Sequence, residues 1–577
     1  MSANSLSAAA HFKDTRRAFV CIESQCIHYR VHGQGPVVVM LHDSPRSSRL
    51  HLPTMKDLAR DFTVVALDTP GYGNSDPLDL EQPEIEDFAD ALAKVLSELG
   101  LETAPLYATH TSAKIAIDYA ARFARPARLI LDGLSIPETP TPAEFITAYM
   151  RPFRLDDDGA FIAREWVRIR DMLRWFPWFS KQAGNRMPLE VTPEWIEAYT
   201  ADLFAAGPHY SDAYAAAMRY DPKPALANVS VRTMIGARAD DVLHDSLQRV
   251  PVDQNSCLAT ASLPANRDAW LDWLVAEFKT GCEAASTPPF TPGPASGAKQ
   301  YVDTPTGQMF VRQYGRPSQG TVLILDTPTL LQGQAWAKAL ESDFHVLLPE
   351  LPGFGNSDAV EALSPDEITK AMACVIETLA DKEVHLLATG FAAPLAMQLA
   401  AKMPDRVSKL VIDGAASISA FPESSALRDL TPRLSFNYAG THLHEIWHML
   451  RDNQASWPWY DRSNSAHRKI EPLLEADALY DSFMGILMQP AHYGDAVVAS
   501  RQAAEELQPQ NLSQETLFLT LEGDPAYAGT QDTASQVPHA HVRARPADMS
   551  AAGSLIREFL TCKPGTLSAD TSIKLES

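Results

Sequence analysis

A single histidine, His110, stands where an apolar run gives way to a helical one in LYATHTSAKIA, residues 106–116. An imidazole in such a turn can take a proton from water or from an acidic C–H or O–H group. It can also attack an acyl carbon directly and form a labile acyl-imidazole. Either role needs a carboxylate to set the ring's tautomer. Three positions qualify: Asp241 (or its neighbour Asp240) after a late apolar run, Asp132 at the end of LILDG, and Asp43 in LHDSP. The backbone N–H groups of Ser44 and Thr111 are expected to face the same point and to form an oxyanion hole. Sliding the turn by one or two residues would put Thr111 or Ser112 in place of His110; the spacing of the helix that follows favours His110.

The elements that must hold these groups occur twice. LDTPGYGNSD (67–76) is answered by PELPGFGNSD (349–358), LHDSP by LDTP (325–328), LYATHTSAKIA by LLATGFAAPLA (386–396) and LILDG by LVIDG (410–414). Trp166, Arg170 and Asp171 are matched by Trp447, Arg451 and Asp452, and His209-Tyr210 by His492-Tyr493. The offset stays between 280 and 283 residues, so the chain reads as a tandem duplication. The predicted domains are 1–283 and 300–563, joined by a Pro/Gly-rich linker at 284–299 and followed by a polar tail at 564–577.

Within each half, short continuous apolar runs alternate with helical patterns. Strands are predicted at 37–41, 62–68 and 231–237 and at 321–325, 344–350 and 516–523, with helices at 85–99, 269–278, 365–380 and 551–560. That alternation implies an α/β fold, a mostly parallel sheet flanked by helices. Residues 136–225 and 416–505 are tryptophan-rich and helical, and each is predicted to be a helical cap inserted late in the sheet.

On these features each half resembles an α/β-hydrolase of the capped type. The resemblance rests on the loop after the first buried strand, the D-x-P-G-x-G-x-S-D segment and the strand–turn–helix around His110. It implies that position 110 is the nucleophile elbow, normally Ser, Cys or Asp, with an acid after a late strand and a histidine before the last helix. Both halves depart from that pattern. The elbow holds His110 in one and Gly390 in the other; no histidine lies in 259–270, and His539 and His541 come early in the second half. A standard Ser–His–acid triad is therefore expected in neither half.

A net charge of −23 argues against nucleic-acid and anionic-membrane partners. The six cysteines show no metal-type spacing and are read as reduced thiols, and the polar start of the chain shows no leader; together they predict a cytoplasmic protein. No run of apolar residues is long enough to span a membrane. No cofactor fingerprint and no metal set appears, although His444 and His448 share a helix face. Asp132, His209, Tyr210 and Trp166 are the predicted substrate-pocket residues around the catalytic set His110, Asp241 and Asp43. The expected function is hydrolase- or lyase-type cleavage of a small, largely apolar carbonyl compound, with the second half a degenerate copy and the two halves a pseudo-dimer within one chain. The alternative is a catalytically inactive binding protein on the same fold.

Overall fold

The structure is a computed structural model, and it describes residues 15–187, 191–285, 287–293, 297–316 and 319–563. The predicted tail at 564–577 and parts of the predicted linker lie outside the described residues. The chain divides into two compact units, residues 1–154 with 163–297 and residues 155–162 with 298–577. Residues 155–162, assigned from the sequence to the first cap, thus group with the second unit.

The first unit carries strands β1 (Arg16–Ile22), β2 (Gln25–His32), β3 (Val37–Leu41), β4 (Thr63–Leu67), β5 (Leu106–Thr109), β6 (Leu129–Asp132), β7 (Thr233–Arg238) and β8 (Leu258–Leu263). They form one sheet in the order β1-β2-β4-β3-β5-β6-β7-β8. β2 runs antiparallel to β1 and β4, and the pairings from β4 to β8 are parallel. Helices α1 (Leu52–Leu58), α2 (Ile85–Glu98) and α3 (Thr111–Phe123) connect the early strands, α4 (Ala143–Tyr149), α5 (Ala160–Met172), α6 (Pro193–Ala206), α7 (Asp212–Arg219) and α8 (Lys223–Asn228) fall between β6 and β7, and α9 (Arg267–Ala284) closes the unit. Every residue of β3 and β4 is buried, as continuous Val/Leu runs in a sheet covered on both faces require. Trp270, Leu274 and Phe278 of α9 join Val38, Met40, Met55 and Phe62 in one core cluster.

The second unit repeats this order with β9 (Lys299–Thr304), β10 (Gly307–Tyr314), β11 (Thr321–Leu325), β12 (His345–Pro349), β13 (Val384–Thr389), β14 (Val407–Asp413), β15 (Glu515–Thr520) and β16 (Ala540–Ala544). Its sheet reads β16-β15-β14-β13-β11-β12-β10-β9, the same succession from the opposite end. Its helices are α10 (Leu331–Leu340), α11 (Pro365–Leu379), α12 (Ala393–Lys402), α13 (Ser424–Leu430), α14 (Thr441–Ala455), α15 (Ala476–Met488), α16 (Asp495–Glu506), α17 (Tyr527–Ser535) and α18 (Met549–Thr561), with α13–α16 between β14 and β15. Among the described residues no helix is long and apolar enough to cross a membrane.

The repeated PGxGNSD segment ties the loop after β4 to the edge of β2. Asp68 accepts from the N–H groups of Ser48 and Asn74, Ser75 donates to the Asp68 carbonyl and accepts from His28 N–H, and Asp76 accepts from Cys26 N–H. Glu350, Ser357 and Asp358 do the same in the second unit. Gly73 must be glycine here: its φ is +57°, and a Cβ would stand 2.1 Å from an Asp68 carboxylate oxygen.

One reading is corrected by the hairpin. Cys21 and Cys26 are directly opposed across β1 and β2 and are joined as a disulfide, so not all six cysteines are thiols. Cys257, Cys282, Cys374 and Cys562 are free.

Gly73→Ala is expected to destabilise the first unit by about 3 kcal/mol, because positive-φ strain adds to the collision with Asp68. Thermal unfolding of the full chain should show it as a lowered first transition; an unchanged Tm would contradict the account.

Candidate active site

His110 sits between β5 and α3 with φ 49° and ψ −109°. A non-glycine residue with positive φ costs of the order of 1–3 kcal/mol and persists only where its surroundings hold it. Here His110 N–H donates to the Asp132 carbonyl (3.0 Å), and the His110 carbonyl accepts from Ala113 N–H at the start of α3. Gly390 has φ 50° at the corresponding turn between β13 and the short 3-10 turn leading into α12. Ser112 donates its hydroxyl to the His42 carbonyl at 2.5 Å and is spent there.

Of the three candidate carboxylates, Asp241 meets the ring. It lies just beyond the end of β7, and its Oδ2 is 2.8 Å from His110 Nε2. Its Oδ1 accepts from Leu243 N–H at 2.8 Å, which fixes the carboxylate's orientation. Asp240, the neighbouring alternative, pairs instead with Arg238. The ring fits because residue 133 lacks a side chain: a Cβ on Gly133 would come within 2.5 Å of His110 Cδ2 and 3.1 Å of Asp241 Oδ2.

Burial by itself would favour a neutral ring. The hydrogen bond and charge of Asp241, reinforced by Asp43 and Asp132, overcome it and push His110 up to about 9. Burial likewise opposes ionisation of Asp241, but His110 and Leu243 N–H hold its carboxyl below the ordinary range. The resting pair at neutral pH is therefore imidazolium and carboxylate. Nε2–H donates to Asp241, and Nδ1 has no hydrogen-bond partner among the described residues.

Asp132 is held by neighbouring elements of the fold. Its Oδ2 accepts from the Tyr107 hydroxyl (2.8 Å) and the Trp270 indole N–H (2.7 Å), so the carboxylate ties β5 and β6 to α9. It acts on His110 only through its charge. His209 pairs with Asp212 at 2.9 Å. The Tyr210 hydroxyl is taken by Arg168 and the Arg151 carbonyl, inside the insert's own packing. Those two are assigned to the substrate pocket from the sequence; in the structure each is hydrogen-bonded to neighbours within the insert. Trp166 is buried on α5.

Asp43 differs from all of these. Its Oδ1 is buried without a hydrogen-bond partner among the described residues. Its charge reaches Tyr199 and Tyr214, phenols that burial already pushes well above their usual range. Arg46 and Ser47 donate to Asp202 of α6 at 2.8 and 2.7 Å, fastening the loop that bears Asp43 and Ser44 to the insert. His42 donates from Nδ1 to the Asp43 carbonyl and accepts at Nε2 from Thr69 N–H, so both ring nitrogens are engaged by the backbone. The sequence reading missed Gly133, whose only signal is that it directly follows Asp132, and it missed Arg46 and Asp202, which are separated by 156 residues.

Because the folded pKa of His110 lies above the ordinary 6.5, the ring's stabilising contribution is complete below about pH 6.5 and is lost as pH rises through about 9. Asp241, shifted down, contributes in the opposite sense and loses its share as pH falls into the acid range. His110→Ala should therefore flatten the alkaline decline of Tm. Gly133→Ala should displace the ring and return its NMR titration towards 6.5; a titration still near 9 in that variant would exclude the close approach described.

Family comparison points to the same fold in both halves. Residues 38–281 match the model of the alpha/beta hydrolase family, and residues 331–441 match that of the alpha/beta hydrolase fold. A pimeloyl-[acyl-carrier protein] methyl ester esterase of Vibrio parahaemolyticus is 34% identical over 91 residues, 15% of this chain and 34% of that protein. A proline iminopeptidase of Heyndrickxia coagulans is 24% identical over 176 residues, 29% of this chain and 58% of that protein. The chain thus spans between a third and three fifths of the length of these relatives. The haloalkane dehalogenase DatA of Agrobacterium tumefaciens C58 aligns over 46% of this chain and 97% of its own, at 18% identity and a TM-score of 0.37. With two eight-stranded sheets of the same order and a family match in each half, the chain belongs to the α/β-hydrolase superfamily as two tandem domains.

Proposed function

We propose that the first domain is a hydrolase-type enzyme that cleaves a small, largely apolar carbonyl compound, with His110 and Asp241 at the reacting centre. The observation that carries this reading is their 2.8 Å contact. Two side chains 131 residues apart meet at a strained turn, and a neighbouring glycine leaves them the room. Similarity to a methyl ester esterase over 91 residues makes esters the first substrates to test.

With the ring protonated at rest, His110 enters the reaction as an acid. Nδ1–H hydrogen-bonds the substrate's carbonyl oxygen and stabilises the negative charge that grows on it, beside the N–H groups of Ser44 and Thr111. Asp43, whose Oδ1 lacks a partner, takes the proton of the attacking water. The oxygen of that water bonds to the acyl carbon, the bond to the leaving group breaks, and the proton held on Asp43 passes to the leaving group. For a C–C cleavage the same carboxylate takes the proton of a substrate O–H group. The second domain, with Gly390 at the turn, carries no ring to do this and is the non-catalytic copy.

The test is turnover of p-nitrophenyl esters, lactones and β-dicarbonyl compounds by wild type, His110→Ala, Asp241→Asn and Asp43→Asn. Each variant should lose about 100-fold or more in kcat/KM. The wild-type rate should fall as pH rises through about 9, where the imidazolium is lost. A rate that climbs to a plateau above that pH would make the neutral ring the base or nucleophile instead. Equal turnover by wild type and His110→Ala would sink the proposal.

A further inference from the structure

The second domain keeps the three carboxylates of the first and changes what surrounds them. By strand register, Asp413 and Asp524 take the places of Asp132 and Asp241, and the match of LHDSP with LDTP sets Asp326 against Asp43. Gly390 stands where the first domain has His110, and a Cβ there would meet nothing within 4 Å. Two arginines have appeared: Arg468 in the place of Met187 and Arg545 in the place of Leu263. All of these residues except Met187, Leu263 and the first domain's own set line one cavity of about 220 Å³.

The cavity is built, not a surface dent. Arg468 has a side chain only 9% exposed; it donates to Asp524 (3.2 Å) and to the Asn453 carbonyl (2.8 Å), and its Nε–H is buried with no partner among the described residues. Arg545 donates to Asp413 at 2.8 Å, and its Nε–H is likewise buried and unpartnered. Asp413 also accepts from the Trp336 indole (2.8 Å). Asp326 already accepts from the Thr389 hydroxyl (2.6 Å) and Gly333 N–H (2.7 Å). The remaining wall is mixed: Leu331, Phe391, Trp457 and Leu519 give it an apolar part, and Gln332, Asn453 and Gln454 a polar one. Where the first domain has an imidazole, the second has a bare turn and two arginines lining the same cavity.

We infer that this cavity is a binding site for a small monocarboxylate with a compact apolar body, its carboxylate held by Arg545 and Arg468 above the Gly390 turn and its body against Phe391 and Trp457. Guanidinium groups match carboxylates in shape and charge. The ligand is bound and not turned over, since no side chain projects from the turn. Asp413 and Asp524 each answer one arginine, and Tyr527 is the remaining titratable group of the lining. Asp326, pushed up to about 6 by burial, is the group that takes up a proton when the ligand's charge arrives. Binding therefore tightens as pH is lowered towards 6.

The experiment is isothermal titration of the full chain with benzoate, hexanoate, methyl benzoate and hexylamine. Benzoate or hexanoate should bind, and methyl benzoate and hexylamine should bind at least tenfold more weakly. Arg545→Gln and Arg468→Gln should each weaken the acid at least tenfold, and Gly390→His, which fills the vacancy without removing a charge, should also weaken it. His110→Ala should leave acid binding unchanged, which separates this site from the first domain's and from the reading of its activity. Circular dichroism and Tm confirm that each variant is folded, and a variant that is not is replaced by Arg545→Lys, for which the same loss is expected. Ester or amine binding equal to that of the acid, acid binding that survives both arginine changes or is lost in His110→Ala, or no binding of either acid, overturns the inference.

Discussion

The backbone at the carboxyl end of the central strand constrains everything else in each half. Strand β5 must turn abruptly into α3, and β13 into the turn before α12, with positive φ at a single residue. That conformation is kept at nearly the same value whether the residue is histidine or glycine, so the strand order and helix packing impose it and the side chain does not. The strain at His110 is offset by the hydrogen bonds on either side of it and by the core behind. What the turn offers in return is position: any side chain there stands over the strand ends, where loops from β3, β6 and β7 converge.

The two halves use that position differently. In the first, a ring fills it and one carboxylate of three is drawn to the ring, while the other two act through charge. Asp132 is compelled by Tyr107 and Trp270 to serve the join between strand and closing helix, and its counterpart Asp413 repeats the bond to a tryptophan, Trp336. In the second, the position is empty and the cations come from elsewhere in the fold. The framework meets the same packing demands in both domains, whereas the groups above the turn differ.

Electrostatics favours the protonated form of the histidine. Three carboxylates, Asp241, Asp43 and Asp132, act together to raise the ring's affinity for its proton. The proton is therefore retained well above neutrality, and a protonated ring is a donor. The carboxylate-rich pattern seen in the sequence around LHDSP and LILDG thus sets the protonation state as well as offering partners.

Much of this was legible in the sequence because it is local. Apolar runs of five residues, helix periodicity and the doubled PGxGNSD segment determine the strands, the helices and the duplication, since each depends on neighbours within a turn or two. The placement of His110 at a strand–helix junction belongs to the same class. The edge strands were not legible: β8, LATASL, has mostly exposed or half-exposed side chains and no apolar run to betray it. Side-chain pairing was not legible either. Asp43, Asp132 and Asp241 were all candidates, with Asp241 and Asp43 ahead, until the sheet placed β7 beside β6 and brought Asp241, from 131 residues away, onto His110. The joining of Cys21 to Cys26 depended on the hairpin register, the loss of Asp132 to Trp270 on where α9 packs, and the convergence of Arg468 and Arg545 on residues far apart in the chain. Sequence alone determined which elements form and where reactive types fall along them. Only the tertiary structure decided which of those types touch, because hydrogen bonds and ion pairs act over a few ångströms and the chain's order carries no distance between residues so far apart.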